Sequence, residues 1–290
     1  MENVHPLSLS TVLIHLKSNG QPVSSGTGFF YADKRQRLFI ATNYHVVTGN
    51  APGSGKAPQG DEIEFVVKMK KGNPLTFRIA LFEGNEPVWH QHPTDRDADV
   101  VLIKLPGADY SGHDFVTISQ QAKIPNVQIH PSSTVVLIGY PYGLHDLTNM
   151  LPIWKTGSIA SEPDYDFNGN KLFVVDVSAY RGMSGSPVFY VSHGGFVTKG
   201  GGYAIAAGMQ AHFMGIFASM HNFIRELEVN DPSGVNGIKV RHEESLELGN
   251  VWKSSIIEEI SDSFADQQTR DPKVLISHKT QWQPGKGFGF

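Results

Sequence analysis

Apolar residues in this chain come in short runs broken by glycine, proline and small polar residues. That is the pattern of strands joined by turns rather than of long helices. Residues 11–17 read as an opening strand, followed by a turn at Asn19-Gly20. Gly26-Thr27-Gly28-Phe29-Phe30-Tyr31 reads as a strand that begins at glycines, and 38–47 as an apolar strand ending at His45. Residues 62–70 and 76–82 read as paired strands, and 100–105 as a buried strand opened by Asp99. After a connector with Pro106-Gly107 and Pro125, further strands are expected at 133–140, 154–160, 172–177, 187–192 and 214–219. The inserts 164–170, 193–203 and 230–239 are polar and glycine-bearing, which predicts surface loops. Past Glu243, Trp252, Ile256, Ile257 and Ile260 recur at helical spacing, with Ser254 and Ser255 as caps and Glu258 and Glu259 in the first turn. This predicts a helix over about 250–262. The polar tail 266–290 is expected to be weakly structured, with Val274-Leu275-Ile276 as a candidate docking strand. With 30 glycines and 17 prolines among 290 residues, the architecture expected is an all-β barrel fold with a sizeable core.

The richest chemistry lies in Arg181-Gly182-Met183-Ser184-Gly185-Ser186-Pro187, directly after an apolar strand. A serine hydroxyl is a weak nucleophile until a base takes its proton and donors hold the oxyanion that follows. Glycines on both sides of Ser184 let the backbone turn sharply and bring amides close to a substrate carbonyl. His45 supplies a base. Asp99, at the mouth of a buried strand, is placed to fix one imidazole tautomer and stabilise the imidazolium. Ser186 competes with Ser184 by composition. Asp97 competes with Asp99, but only Asp99 abuts the apolar run, and Asp95 and Asp97 read as a solvated acidic loop.

The order His45, Asp99, Ser184 and the three surrounding motifs resemble the trypsin-like (chymotrypsin-fold) serine peptidases over roughly residues 9–221. Thr42-Asn43-Tyr44-His45-Val46-Val47 looks most like their bacterial HtrA-like branch, without room for a PDZ module after the terminal helix. The resemblance implies two six-stranded-type antiparallel barrels with the site between them, plus a C-terminal helix. The peptidase domain would span 1–265, with barrels at about 9–105 and 127–221. It further implies Ser184 as nucleophile, His45 as base and then acid, Asp99 as orienting carboxylate, and the Gly182 and Ser184 amides as oxyanion hole. Ser178 would lie at the floor of the substrate pocket, with Ala218, Ser219 and Met220 along one wall; an uncharged floor and Met220 at the mouth imply a small or medium apolar side chain before the scissile bond. Met183 stands where many secreted members carry an aspartate, Ser186 where a glycine is usual, and Ala218 where a serine is frequent. The activity implied is that of a serine endopeptidase on protein or peptide substrates, with no cofactor. A catalytically silent binding protein on the same fold, or an esterase with the same triad, are the alternatives.

Charge and composition narrow the partners. A net charge of −4 and a pI near 6.3, with no long basic cluster, give no nucleic-acid footprint. No basic-then-apolar leader opens the chain and no run approaches a membrane span, so no membrane partner is expected. With zero cysteines as well, a cytoplasmic location is the expectation. Pro52-Gly53-Ser54-Gly55-Lys56 fails as a phosphate loop, because Asn50 and Ala57 stand where glycine and Ser or Thr are needed. His90 and His92 with Asp95, Asp97 and Asp99 lack zinc-like spacing, so no metal is expected. His212 and His221 flank the last barrel strand and are expected to be ordinary core or surface histidines.

Overall fold

The computed structural model describes residues 4–119, 122–229, 238–264 and 272–278. In the first half, β1 (Thr11–Ser18) and β2 (Gln21–Ala32) form a hairpin. Its two turn residues, Asn19 and Gly20, both have positive φ (49° and 77°), the turn whose twist suits a hairpin. β3 (Leu38–Thr42), α1 (Tyr44–Thr48), β4 (Glu62–Val67), β5 (Leu75–Ala80), β6 (Phe82–Glu83), β7 (Glu86–Pro87), β8 (Trp89–Gln91), β9 (Val101–Lys104) and β10 (Ile118–Ser119) follow. Apart from the small β6–β7 pair they make one curled sheet, in the order β5-β4-β1-β2-β3-β9-β8, with β10 parallel to β2.

The second half is a closed barrel of six strands: β11 (Thr134–Gly139), β12 (Ile153–Ile159), β13 (Leu172–Asp176), β14 (Pro187–Val197), β15 (Tyr203–Val229) and β16 (Ile238–Lys253). α2 (Ser254–Ser263) follows, and β17 (Val274–His278) returns to the first sheet as an edge strand antiparallel to β5. The docking strand expected at 274–276 is therefore present, extended to His278; the rest of the 266–290 tail, bar Pro272 and Lys273, lies outside the described residues. No helix among them is long and apolar enough to cross a membrane.

Several expected elements differ. The apolar run 38–47 is not one strand: β3 stops at Thr42, Asn43 is extended at the N-cap, and one helical turn carries His45 before Gly49 ends it at φ 72°. Val46 and Val47 pack on the first-half core, so tertiary burial sets the conformation of a β-prone run. Residues 193–203 are mostly a hairpin extension of β14 and β15 rather than a loop. The barrel continues past 221, because β16 supplies its sixth strand. Val251 and Trp252, expected in the helix, pair there with Phe173 and Leu172. α2 therefore starts at Ser254 with Lys253 at the cap position. Ser254 and Ser255 do not cap, and Glu258 and Glu259 fall beyond the first turn. Residues 230–237 of the third insert lie outside the described residues.

Period-two alternation distributes side chains among three cores. Phe30, Ile40, Val101 and Ile103 face the first-half core, and Val135, Leu137 and Val188 the barrel interior. Their neighbours Phe29, Tyr31, Phe39, Ala41, Val100 and Leu102 meet Val136, Ile138, Phe189, Phe213 and Trp252 in a third core between the halves. His212 lies beside this seam, and its Nδ1 accepts the Ile124 amide at 2.8 Å. Burial, then the charges of Lys123 and Lys199, push its pKa down to about 4; burial and Lys104 do the same to His90.

Because these folded-state values lie below the ordinary 6.5, the unfolded chain binds the extra protons between about pH 6.5 and 4, and stability falls as pH drops through that window. We predict a lower thermal midpoint at pH 5 than at pH 7.5. In His212→Asn, which keeps an acceptor but cannot titrate, that drop is smaller; an unchanged drop would refute this origin.

Candidate active site

The residues singled out as base and acid meet at the ends of adjacent strands. β3 and β9 pair through Thr42 and Val101, which sets Asn43 beside Asp99. The Asn43 side-chain amide donates to the Asp99 carbonyl at 2.5 Å and leaves the cap of α1 unmade. The Asp99 carboxylate then grips His45 at two points. Oδ1 accepts the His45 backbone N–H at 3.0 Å, and Oδ2 lies 2.6 Å from Nδ1. An ionised carboxylate only accepts, so it keeps the ring proton on Nδ1 and leaves Nε2 as the basic nitrogen. The histidine side chain is 32% exposed and the aspartate 13%, so the imidazole is open to solvent while its partner is shielded.

Ser184 sits in the loop between β13 and β14, where Gly182 (φ 92°) and Gly185 (φ 89°) occupy backbone conformations that favour glycine. A Cβ on Gly185 would run into the Thr27 carbonyl, and one on Gly182 into the Tyr140 carbonyl. The Ser184 carbonyl accepts from Thr27 N–H at 2.8 Å, and Gly185 N–H donates to the Phe217 carbonyl at 2.8 Å. Gly26 lets the Ser184 loop and α1 close over β2, since a Cβ there would lie 2.6 Å from Val46 Cγ2 and 3.3 Å from the Ser184 carbonyl. The Ser184 hydroxyl donates to the Ala218 carbonyl at 2.8 Å, and among the described residues it makes no hydrogen bond to His45.

The Arg181 carbonyl accepts from Tyr142 N–H at 2.6 Å. In a trans peptide C=O and N–H point in opposite directions, so this bond turns the Gly182 amide the other way. Neither that amide nor the Ser184 amide donates to another described residue, which leaves both available.

The remaining candidates separate clearly. Ser186 is fully buried, its hydroxyl against Gly139 and unpartnered among the described residues, so no substrate reaches it. Asp97 is exposed, and Asp95 caps its amide at 3.2 Å. His92 bonds Glu259 at 2.5 Å and His221 bonds Asn250 at 2.9 Å; no metal-like cluster occurs among the described residues. At the expected pocket, Ser178 Oγ lies 3.2 Å from the Tyr180 hydroxyl, and the exposed Ser219 accepts from Asn250 at 3.2 Å. Ala218 is buried and Met220 half-buried. Gly249 faces this wall: a Cβ there would strike the Phe217 ring and lie 3.3 Å from Met220 Sδ. Sequence reasoning missed the parts played by Thr27, Asn43, Tyr142, Phe217 and Gly249. Thr27 between two glycines was the one visible signal.

A family model, the trypsin-like peptidase domain, matches residues 26–197, more than half of the chain. The chain belongs to that family. No curated protein matches this trypsin-like peptidase in sequence. Among solved structures, it is similar to the inactive form of Rv3671c protease of M. tuberculosis, with 15% identity over 88% of this chain and 89% of that one, TM-score 0.40. A mutant of Rv3671c matches at 14% over 89% and 90%, TM-score 0.42, and human heparin binding protein at 11% over 91% and 95%, TM-score 0.48.

The glycine contacts give a stability test. Gly72 has nearly the same φ (88°) as Gly185 but nothing within 4 Å of its Cβ position. Gly72→Ala is expected to cost about 1–2 kcal/mol of backbone strain. Gly185→Ala adds a clash with backbone and is expected to cost at least about 4 kcal/mol or to prevent folding. Urea unfolding of both variants compares the two directly.

Proposed function

We propose that this trypsin-like peptidase is an active serine endopeptidase that works through an acyl-enzyme. The observation that best supports this is the two-point grip of Asp99 on His45, in a turn packed with the Ser184 loop across Gly26. A rotation about the Ser184 side-chain bond releases its hydroxyl from the Ala218 carbonyl. Catalytic hydrogen bonds of this kind commonly tighten only when substrate is bound. His45 Nε2 takes the hydroxyl proton as Ser184 Oγ bonds to the scissile carbonyl carbon. The carbonyl electron pair moves to oxygen, where the Gly182 and Ser184 amides receive it. Collapse breaks the C–N bond, and the imidazolium gives its proton to the departing amine. Water, activated by the same nitrogen, then releases the acyl group. Asp99 stays ionised throughout, holding the tautomer and the imidazolium. The chemistry calls on no metal or organic cofactor.

Protein or peptide chains are the proposed substrates. With Phe217 and Met220 crowding Gly249, and Ser178 uncharged, the pocket before the scissile bond suits a small apolar side chain. The position of the Ser184 hydroxyl on Ala218 favours one second reading, a peptidase fold that binds without cleaving.

Active-site labelling separates the two. A fluorophosphonate is expected to modify Ser184 stoichiometrically, with labelling lost in Ser184→Ala and His45→Ala. Asp99→Asn is expected to lower kcat by about 10⁴. A folded protein that takes up no label would support the binding reading. A peptide library should favour Ala- or Val-sized residues before the cleaved bond, and Met220→Ala should move the preference towards Leu and Phe. A profile dominated by Lys or Arg would overturn this pocket assignment.

A further inference from the structure

An oxyanion hole needs the Gly182 amide held in one orientation, and the loop that carries it is pinned almost wholly by backbone. Tyr142 N–H holds the Arg181 carbonyl, Thr27 N–H the Ser184 carbonyl, and the Phe217 carbonyl the Gly185 amide. Met183 N–H turns back to the Tyr180 carbonyl at 3.0 Å, and the Met183 side chain is fully buried and apolar, so no charge on it anchors the loop.

One side chain from outside breaks this rule. The Thr27 hydroxyl, fully buried, donates to the Gly182 carbonyl at 2.7 Å. It also accepts the Tyr140 amide at 3.2 Å. Among the described residues it is the only side chain from elsewhere that bonds the backbone of residues 181–186. Its two partners lie on the two segments that must stay in register: Gly182 itself, and the turn that presents Tyr142 to Arg181. That turn holds Tyr142 at φ 51°, which a residue with a side chain adopts only when its surroundings impose it. The threonine backbone is locked in turn, since its carbonyl accepts the Thr42 hydroxyl at 2.7 Å, one residue before Asn43.

We propose that Thr27 is a positioning residue for the oxyanion hole: its hydroxyl fixes the carbonyl side of Gly182 and so aims the Gly182 amide at the reacting carbonyl. Without the hydroxyl, the Gly182 carbonyl and the Tyr140 amide are both left buried and unpaired, and turning the loop is the way to satisfy them. Thr27 touches no substrate atom and acts through Gly182. The assignment rests on the peptidase reading of Ser184.

The test compares wild type, Thr27→Val and Thr27→Ser, all in the full chain. Valine keeps the branched shape and removes the hydroxyl; serine restores the hydroxyl alone. Thr27→Val is expected to lower kcat about 100-fold, the scale of losing one oxyanion donor, with KM within about threefold. Its fluorophosphonate labelling rate should fall in parallel, and Thr27→Ser should recover to within about threefold of wild type. A Thr27→Val enzyme with unchanged kcat, or one whose loss lies in KM, or one that serine does not rescue, overturns the assignment. If Thr27→Val does not fold, Thr27→Ala is compared by its affinity for a peptide aldehyde, which forms an oxyanion, and for the matching peptide amide, which does not. Selective loss of aldehyde affinity supports the proposal, and equal loss of both overturns it. Failure of wild type to label at Ser184 defeats the peptidase reading itself, a result distinct from these.

Discussion

The apolar seam between the two halves is the constraint from which the site follows. From Gly26 to Ala32, β2 is buried on both faces, and its alternate side chains serve two different cores. β3 and β9 do the same. Each large side chain removed from water, such as Phe29, Phe39 or Phe213, contributes about 1.5–3 kcal/mol, and together they press the halves into one arrangement. Strands buried on both sides leave little room for charged chemistry along their length. The candidate reactive groups fall just beyond the strand ends: His45 after β3, Asp99 before β9 and Ser184 before β14.

Such a seam is unforgiving of polar groups, because a buried donor or acceptor left unpaired costs about 1–3 kcal/mol. The chain answers at Thr27, whose N–H donates to the Ser184 carbonyl and whose hydroxyl donates to the Gly182 carbonyl and accepts the Tyr140 amide. Glycines stand wherever this interlock brings two backbones closer than a Cβ allows. Gly139, Gly182 and Gly185 each abut a group contributed by another segment. The orientation of the Gly182 loop thus comes from the same packing that holds the halves together.

Legibility in the sequence followed the range of the interactions. The short apolar runs between glycines and prolines revealed most strands, and the candidate chemistry was read from strand ends carrying His45, Asp99 and the glycine-flanked Ser184. What failed depended on contacts distant in sequence. The single helical turn at His45 was hidden in a β-branched run, because its packing on the first-half core decides its form. β16 was missed because its outer portion is polar and its pairing partners, β13 and β15, decide its state. The two flanking glycines were the only mark on Thr27, since a hydroxyl within a strand acquires its meaning when Gly182 and Tyr140 arrive beside it.

The segment after the barrel completes the same logic. Ile256, Ile257, Ile260 and Phe264 fill the seam from one side, so α2 is a lid on the inter-half core. Its polar face then reaches the first half. Arg37, itself held by the buried Asp33, donates to the Ser261 carbonyl at 2.7 Å and lies over the Phe39 and Phe264 rings. Glu259 accepts from Lys171 at 2.6 Å and bonds His92 at 2.5 Å. Burial alone would raise the Glu259 pKa, but these hydrogen bonds win and hold it below the usual value. His92 Nδ1 accepts the Asp95 amide, so its proton sits on Nε2 and points at Glu259. The exposed Lys171–Glu259 pair adds little to stability. The bond from buried His92 to Glu259 does something else: it ties the loop that ends in Asp99 to a helix anchored in the seam. The loop that leads to Asp99 is thereby held, at His92, by a residue more than 150 positions further along the chain.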